Sequence, residues 1–231
     1  MKFGVVIFPG SNCDQDLIQV IKDVAKCEVV ELWHKTTDLK GCDFIFLPGG
    51  FSYGDYLRSG AIAKLSPIMD SVIDFANNGG FVMGICNGFQ ILCESGLLPG
   101  ALLRNTSQKF ICKNVNLSVA TEDSALTRKV KKEDVLVVPI AHAEGNYYAD
   151  QETIESMEKN NQVLFRYCDS NGSITSESNP NGSINNIAGI CNEGRNVFGM
   201  MPHPERCAND DLFNEDGKIL FESIMSACVP A

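Results

Sequence analysis

The stretch GFVMGICNGFQILCES, residues 80–95, predicts a buried strand that runs directly into a helix. The strand covers 81–85, an apolar run after a glycine-rich turn, and the helix covers 89–94. The residues between them, Gly-Ile-Cys-Asn-Gly, match the Gly-x-Ser-x-Gly nucleophile elbow with sulfur in place of oxygen. Glycines flank such a nucleophile because a side chain there would crowd both the strained turn and the substrate. Cys86 is therefore a candidate nucleophile.

Two interpretations of Cys86 are open from this stretch alone. At the start of a helix, the macrodipole and the free N–H groups favour a thiolate over a thiol. A buried structural cysteine in a packed turn has the same spacing, and the chain contains ten cysteines. The choice depends on whether other parts of the chain supply a base.

The composition argues against several classes of protein. The net charge of −10 disfavours non-specific binding to nucleic acids or anionic membranes, which need a basic surface. No apolar run approaches the length of a transmembrane helix, and the N-terminal run ends in Pro-Gly, as a first strand would. The cysteines form no Cys-x-x-Cys pair, which is typical of a reducing compartment rather than of disulfides or zinc. We therefore expect a cytoplasmic protein without a bound metal.

Strands alternate with helices along the first part of the chain. We expect strands at 3–8, 27–33, 44–47, 81–85, 104–120, 135–140, 163–167, 187–191 and 197–201, and helices at 14–25, 67–77, 89–94, 151–159 and 218–227. The Asn/Ser/Gly-rich interval 169–186 predicts a surface loop. This alternation favours an α/β fold with a mostly parallel, doubly wound sheet, as one domain over residues 1–231.

A cysteine nucleophile needs a base, and the chain has three histidines. His203 lies in MPHPER, residues 201–206, where two prolines favour extended backbone and would bring His203 and Glu205 to one side. Glu205 would then fix the orientation and tautomer of the imidazole. A proline-stiffened loop with two exposed polar residues is the alternative. His142 follows a strand and could also face the site, whereas His34 fits a structural role.

The loop PGGFSYGDYLR, residues 48–58, follows the third strand. The carboxyl ends of strands in an α/β sheet share one edge, so this loop should lie beside the elbow. Gly49 and Gly50 form either a plain turn or a place where backbone N–H groups approach a substrate oxyanion.

Together these motifs resemble class I glutamine amidotransferases, whose triad is Cys, His and Glu in that chain order. GICNGFQ (84–90) and MPHPER (201–206) are shared across the class. One branch, the glutaminase subunits of phosphoribosylformylglycinamidine synthases in purine biosynthesis, resembles the chain more closely. Its motifs are matched by FPGSNCD (8–14), PGGFSYGDYLR (48–58), LPGALLRN (98–105), NPNGS (179–183) and NIAGICN (186–192). The resemblance implies a flavodoxin-like fold. One departure from the family pattern is Ala143, where glycine is expected.

The resemblance also implies a reaction, the hydrolysis of glutamine to glutamate and ammonia through a Cys86 thioester. His203 would protonate the departing ammonia and then activate water, with Glu205 orienting the imidazole. The N–H groups of Gly50 and Asn87 would hold the oxyanion.

Four further residues are implied in substrate binding. Gln90 would help to hold the glutamine. His142, Glu144 and Gly145 are candidates for its amino-acid end or for contact with a partner.

The chain contains no Gly-x-x-x-x-Gly-Lys-Ser/Thr motif, so it should not perform ATP-dependent chemistry alone. The resemblance implies no cofactor in this chain and a separate synthetase subunit that holds ATP and Mg²⁺ and receives the ammonia. It also implies a small third subunit, and partner contacts at the loops 9–13 and 51–58. Three alternatives stay open here: a glutaminase for the histidine, pyridoxal or guanylate route, a regulatory subunit without activity, and a cysteine hydrolase for another amide or peptide.

Overall fold

The computed structural model describes residues 1–24, 26–209 and 214–228. The strands are β1 Lys2–Ile7, β2 Glu28–Trp33, β3 Phe44–Leu47, β4 Phe81–Ile85, β5 Ala101–Leu103, β6 Ile111–Val119, β7 Val135–His142, β8 Asn146–Tyr148, β9 Val163–Cys168, β10 Ile187–Cys191 and β11 Val197–Met200. The helices are α1 Asp14–Asp23, α2 Pro67–Asn77, α3 Asn87–Glu94, α4 Gln151–Lys159 and α5 Lys218–Cys228. The predicted end of the first helix, Ala25, lies outside the described residues.

One large sheet organises the described chain, in the order β2-β1-β3-β4-β11-β10-β9-β6-β7, and β5 pairs with β8 beside it. The strands β2, β1, β3, β4 and β11 are parallel, and we call them the parallel half. The strands β10, β9, β6 and β7 run antiparallel to their neighbours and form the antiparallel half. The predicted α/β fold is confirmed, with a sheet that is mixed.

The two halves differ because their strands are connected differently. In the parallel half, α1 connects β1 to β2 and α2 connects β3 to β4. Strand β3 is buried along its whole length, as a strand covered on both faces must be. In the antiparallel half, β6 is followed by β7 with no helix between them in the described chain. The residues of β7 alternate between half-buried and buried. Such alternation is typical of a strand with one face in the core.

The pairing of β4 with β11 brings two distant segments together. The register places Ile85 opposite Met200, so the residues that follow each strand leave the sheet at the same edge. The backbone N–H of Cys86 continues the ladder by donating to the Met200 carbonyl over 2.8 Å. Helix α3 packs over these strands through Phe89, whose ring occupies the space left by the missing side chain of Gly199. No helix in the described ranges is long and apolar enough to span a membrane.

Candidate active site

Cys86 lies on a sharp turn between β4 and α3. Its φ is 50° and its ψ is −104°, a conformation that costs a non-glycine residue conformational energy and is found mainly at functional sites. Gly88 permits the turn, because a Cβ there would overlap the Leu47 carbonyl. The predicted elbow is therefore present, with its thiol 4% exposed at the edge of the sheet.

His203 and Glu205 leave β11 beside this turn and form a buried pair. The distance from His203 Nδ1 to Glu205 Oε1 is 2.6 Å, and the two residues are 1% and 2% exposed. Since a carboxylate only accepts hydrogen bonds, Nδ1 is the donor and Nε2 is left without a hydrogen-bond partner in the described chain. The predicted position of both side chains on one side of the loop is thus observed.

The charge state of His203 follows from its surroundings. Burial lowers its pKa, but the charges of Glu205 and Cys86 and contacts with Cys13 raise the pKa well above its ordinary value. An imidazole in this environment can donate a proton near neutral pH.

Gly50 faces Cys86 across a small cavity. Its φ of +136° favours glycine, and a Cβ would lie 2.7 Å from Ser11 Cα and 2.6 Å from Asn12 N. No residue in the described ranges accepts a hydrogen bond from the Gly50 N–H. Asn87 opens α3, where the first N–H groups have no partner within the helix. Both backbone donors predicted for the oxyanion thus flank the elbow.

The Asn87 side chain ties the elbow to the loop after β3. Its Oδ1 accepts from the Ser52 N–H over 3.1 Å, and its Nδ2 donates to Gln90 Oε1 over 2.9 Å. Gln90 in turn donates from Nε2 to the Glu144 carbonyl over 2.6 Å. Gln90, predicted to hold the substrate, therefore also positions the loop that contains Glu144.

A second anchor holds the loop 51–58. The Tyr53 hydroxyl lies 2.6 Å from His34 Nδ1 and 2.8 Å from Ser66 Oγ. Tyr53, Asp55 and Leu57 all have positive φ, so side-chain bonds of this kind stabilise an otherwise unfavourable backbone. His34 has the structural role expected of it.

These elements enclose a cavity of about 230 Å³ in front of the thiol. Its lining is Gly50, Phe51, Asp55, Ser59, Cys86, Gln90, Arg104, Ala141, His142, Ala143 and Glu144. The volume is below the roughly 300–1,000 Å³ of sites for drug-sized ligands, which favours a small metabolite. A larger hollow of about 500 Å³ beside α4 contains none of the predicted reacting groups.

His142 enters the cavity from the end of β7. Its Nδ1 lies 3.1 Å from Asn105 Oδ1, which also accepts from the Gly145 N–H over 3.0 Å. Burial and the nearby charge of His203 lower the pKa of His142 to about 4, so its imidazole is neutral at pH 7. Gly145 does not line the cavity; a Cβ there would overlap the His142 ring, so its lack of a side chain makes room for that ring. Ala143 has no positive φ, so a side chain at this position does not strain the backbone.

Several residues of this region were not singled out from the sequence. Asp55 and Arg104 line the cavity, and Asn105 and Asn181 hold the loop beneath it, the latter through a 2.7 Å bond from Nδ2 to the Gly145 carbonyl. All four lie inside motifs that carried the family resemblance. Position within those motifs was the available signal, but it assigned no role to any of the four.

Cys13 lies behind the histidine. Its Sγ, one ring nitrogen of His203 and one oxygen of Glu205 lie within 4.8 Å of one another, a grouping that could hold a metal ion. The Arg206 Nη2 donates to the same sulfur over 3.2 Å, and its positive charge opposes a cation there. The absence of a metal in the working protein stays a prediction.

Comparisons with known proteins agree with this geometry. A model of the CobB/CobQ-like glutamine amidotransferase domain matches residues 1–218. The phosphoribosylformylglycinamidine synthase subunit PurQ of Koribacter versatilis is 60% identical over 98% of both chains. The subunit of the same name from Aquifex aeolicus is 54% identical, over 98% of this chain and all of that one. A chain in the structure of PurLQS from Thermotoga maritima is 41% identical, with a TM-score of 0.87 over 99% of both chains.

Proposed function

The chain belongs to the glutamine amidotransferase family, and from that premise we propose that it is the glutaminase subunit of a phosphoribosylformylglycinamidine synthase. One observation carries the proposal. A strained Cys86 and a buried His203–Glu205 pair leave neighbouring parallel strands at one edge, above a cavity sized for an amino acid. Relatives that are 54–60% identical over nearly the whole chain bear the name of this subunit.

The first half of the reaction forms a thioester. The Cys86 thiolate attacks the side-chain carboxamide carbon of glutamine, and the carbonyl electrons move onto oxygen. The N–H groups of Gly50 and Asn87 hold this oxyanion. When the carbonyl re-forms, the C–N bond breaks and His203 gives its Nε2 proton to the nitrogen, which leaves as ammonia.

The second half releases glutamate. His203, now neutral, accepts a proton from water as the water oxygen attacks the thioester carbon. Collapse of the second tetrahedral intermediate breaks the C–S bond and restores the thiolate. Glu205 accepts the Nδ1 proton in a hydrogen bond throughout, which keeps Nε2 as the atom that exchanges protons.

The ammonia passes to a synthetase subunit that binds ATP and Mg²⁺, and a small third subunit completes the assembly. The chain in the PurLQS structure supports this assignment by its similarity. The loop 51–58 is suited to contact a partner, because Phe51, Tyr56 and Leu57 are 44%, 73% and 89% exposed. The loop 9–13 is bonded to it through the Phe51 N–H and the Gly10 carbonyl.

We place this activity in the cytoplasm. Nine cysteines within the described ranges form no disulfide, and several of them are buried, as a reducing compartment allows.

The test measures glutamate released from glutamine by the purified chain, alone and with the synthetase and ATP. We expect weak activity alone, a marked increase in the complex, and formation of the synthetase product from glutamine. Cys86→Ala should abolish glutamine-dependent activity while the synthetase still uses added ammonia. Unchanged glutamate release by Cys86→Ala would refute the nucleophile assignment.

A further inference from the structure

We propose that Arg206 is a positioning residue for the catalytic histidine. Its guanidinium ties the segment 203–206 to the start of α1, where it contacts Cys13 and Asp16. The inference rests on the proposed function, because it assigns a role in glutamine hydrolysis to a side chain that acts only through its neighbours. It also gives a function to Cys13 of the FPGSNCD motif, which the proposed reaction does not use.

The segment that carries His203 is a single turn outside the sheet. Pro204–Arg206 is one turn of 3-10 helix, and the His203 N–H donates to the Pro139 carbonyl over 2.8 Å. His203 has a φ of −105°, so its backbone is not strained as that of Cys86 is. The backbone therefore places His203, whereas the orientation of its ring depends on side chains.

Arg206 reaches from this turn to α1. Its Nε donates to Asp16 Oδ2 over 3.1 Å, and its Nη2 donates to Cys13 Sγ over 3.2 Å. Cys13 and Asp16 are three residues apart, so they lie on one face at the start of the helix. A guanidinium presents its donors in a fixed plane, and two contacts on one face define its orientation. Arg206 thus joins α1 to a segment 190 positions further along the chain.

Cys13 transmits this contact to the imidazole. A Cβ added to Gly49 would lie 2.7 Å from His203 Cε1 and 3.1 Å from Cys13 Sγ, so the ring and the sulfur pack against the same face of Gly49. The Cys13 N–H also donates to the Gly49 carbonyl over 3.4 Å. The missing side chain of Gly49 makes room for the catalytic ring, and the sulfur limits how far that ring can turn.

The charge of Arg206 acts on Glu205, which is buried. Glu205 Oε1 accepts from His203, but Oε2 has no hydrogen-bond partner within the described residues. A buried carboxylate of this kind needs a compensating positive charge. Burial lowers the pKa of the Arg206 guanidinium, but interactions with Cys13 and Glu205 raise it above its usual value. Since a guanidinium does not lose its proton in proteins, Arg206 supplies a permanent positive charge beside the pair.

Three other interpretations predict different kinetics. The side chains of Arg206 and Asp16 are 36% and 45% exposed, and such a pair contributes about 0–1 kcal/mol to stability. If Arg206 only stabilises the fold, its loss should lower Tm and leave kcat unchanged. If it binds glutamine, its loss should raise KM. If it contacts the synthetase, as the loop 9–13 is expected to, excess synthetase should restore activity.

The experiment measures glutamine hydrolysis by Arg206→Gln with ATP and saturating synthetase. We expect kcat to fall about 10–100-fold with KM nearly unchanged, because a small displacement of His203 affects the transition state and not the binding of glutamine. Arg206→Lys keeps the charge without the planar donors and should retain part of the activity. Alkylation of Cys86 by iodoacetamide, followed by peptide mass spectrometry, should be slower in Arg206→Gln, since a well-placed imidazolium favours the thiolate.

Arg166→Gln is the matched control. It removes an arginine that pairs with Glu158 at 2.6 Å and 2.7 Å and that does not line the cavity in front of Cys86. This variant should keep its kcat and its rate of Cys86 alkylation even where Tm falls. If Arg206→Gln does not fold, Cys13→Ala is the second variant and should also lower kcat. Cys13→Ser, which keeps an acceptor for the guanidinium, should then retain more activity than Cys13→Ala.

Four outcomes would overturn the positioning role. They are an unchanged kcat in folded Arg206→Gln, an effect on KM alone, full recovery with excess synthetase, and an equal loss of kcat in Arg166→Gln. A wild-type complex that releases no glutamate from glutamine would instead overturn the proposed function.

Discussion

In the parallel half of the sheet the reacting groups are held by the backbone, whereas the antiparallel half holds its cavity-facing groups through side-chain amides. Cys86 is fixed by its own strained dihedral angles and by the ladder bond to Met200. His142 depends on Asn105, and the Glu144 carbonyl depends on Gln90. Chemistry needs atoms that do not move, and the surrounding structure that holds Cys86 in its strained conformation supplies that rigidity.

The two sides of the cavity should therefore respond differently to substitution. Changes at Cys86, His203 or Gly50, which follow strands of the parallel half, should lower kcat, because they act on the reacting atoms or the oxyanion. Changes in the antiparallel half should raise KM or reduce stability, because they act on recognition and support.

The largest contrast should come from the two buried histidines. We expect His203→Asn to lower kcat by about 10²–10⁴, because the proton donor and acceptor is lost. His142→Asn keeps an amide donor for Asn105 and should raise KM about tenfold, with kcat nearly unchanged. Steady-state kinetics on glutamine check both. Similar kcat losses in the two variants would contradict the assignment of catalysis to His203 and of substrate recognition to His142.

The next effect concerns Gly50. Gly50→Ala should lower kcat by about 10²–10³, since a Cβ would push against Ser11 and Asn12 and displace the oxyanion donor. Gly41→Ala is the matched control, with φ of +65° and no atom within 4 Å of an added Cβ. It should cost about 1 kcal/mol of stability and no activity. Equal activity of the two variants would exclude Gly50 from the oxyanion site.

On the other side, Asn105→Ala should act mainly on stability. It removes a buried amide with four hydrogen bonds, and we expect a loss of about 2–4 kcal/mol in the free energy of unfolding. KM should rise as well, because His142 loses its orientation. Urea denaturation gives the first value and kinetics the second. Asn160→Ala, an exposed amide at the end of α4, should change both by little.

The smallest effect is a pH dependence. As pH falls through about 6, Asp55 takes up a proton and the cavity that it lines loses a negative charge, so kcat/KM for glutamine, which carries an ammonium group, should fall. Glu144, His142 and Arg104 face the same cavity, and His142 is neutral until about pH 4. The kcat/KM profile of Asp55→Asn should lack this component. Identical wild-type and variant profiles would remove Asp55 from substrate binding.

The elbow and the His203–Glu205 pair could be predicted because each is encoded locally. A five-residue motif defines the turn at Cys86, and two prolines define the backbone around His203. Strand alternation also predicted the parallel half, where α1 connects β1 to β2 and α2 connects β3 to β4.

The roles of Asp55 and Asn105 could not be predicted in this way. Asp55 adopts a positive φ in a loop held by Tyr53. Its pKa is raised mainly by burial and also by the charge of Glu144, which is distant in sequence. The Asn105 bonds form only once β7 and its loop are in place. The interval 169–186 was predicted as a surface loop, yet its Asn181 is fully buried beneath Gly145. Contacts between residues distant in sequence determine the surroundings of Asp55, Asn105 and Asn181.

Because β11 lies between β4 and β10, the catalytic site forms late during synthesis on the ribosome. A nascent chain that ends before residue 197 holds Cys86 after a strand paired only with β3, without its histidine and without the neighbour that accepts its backbone N–H. The catalytic site is complete only when β11, one of the last strands to emerge, inserts into the middle of the sheet and brings His203 to Cys86. Unfinished chains are thereby unable to release ammonia into the cell.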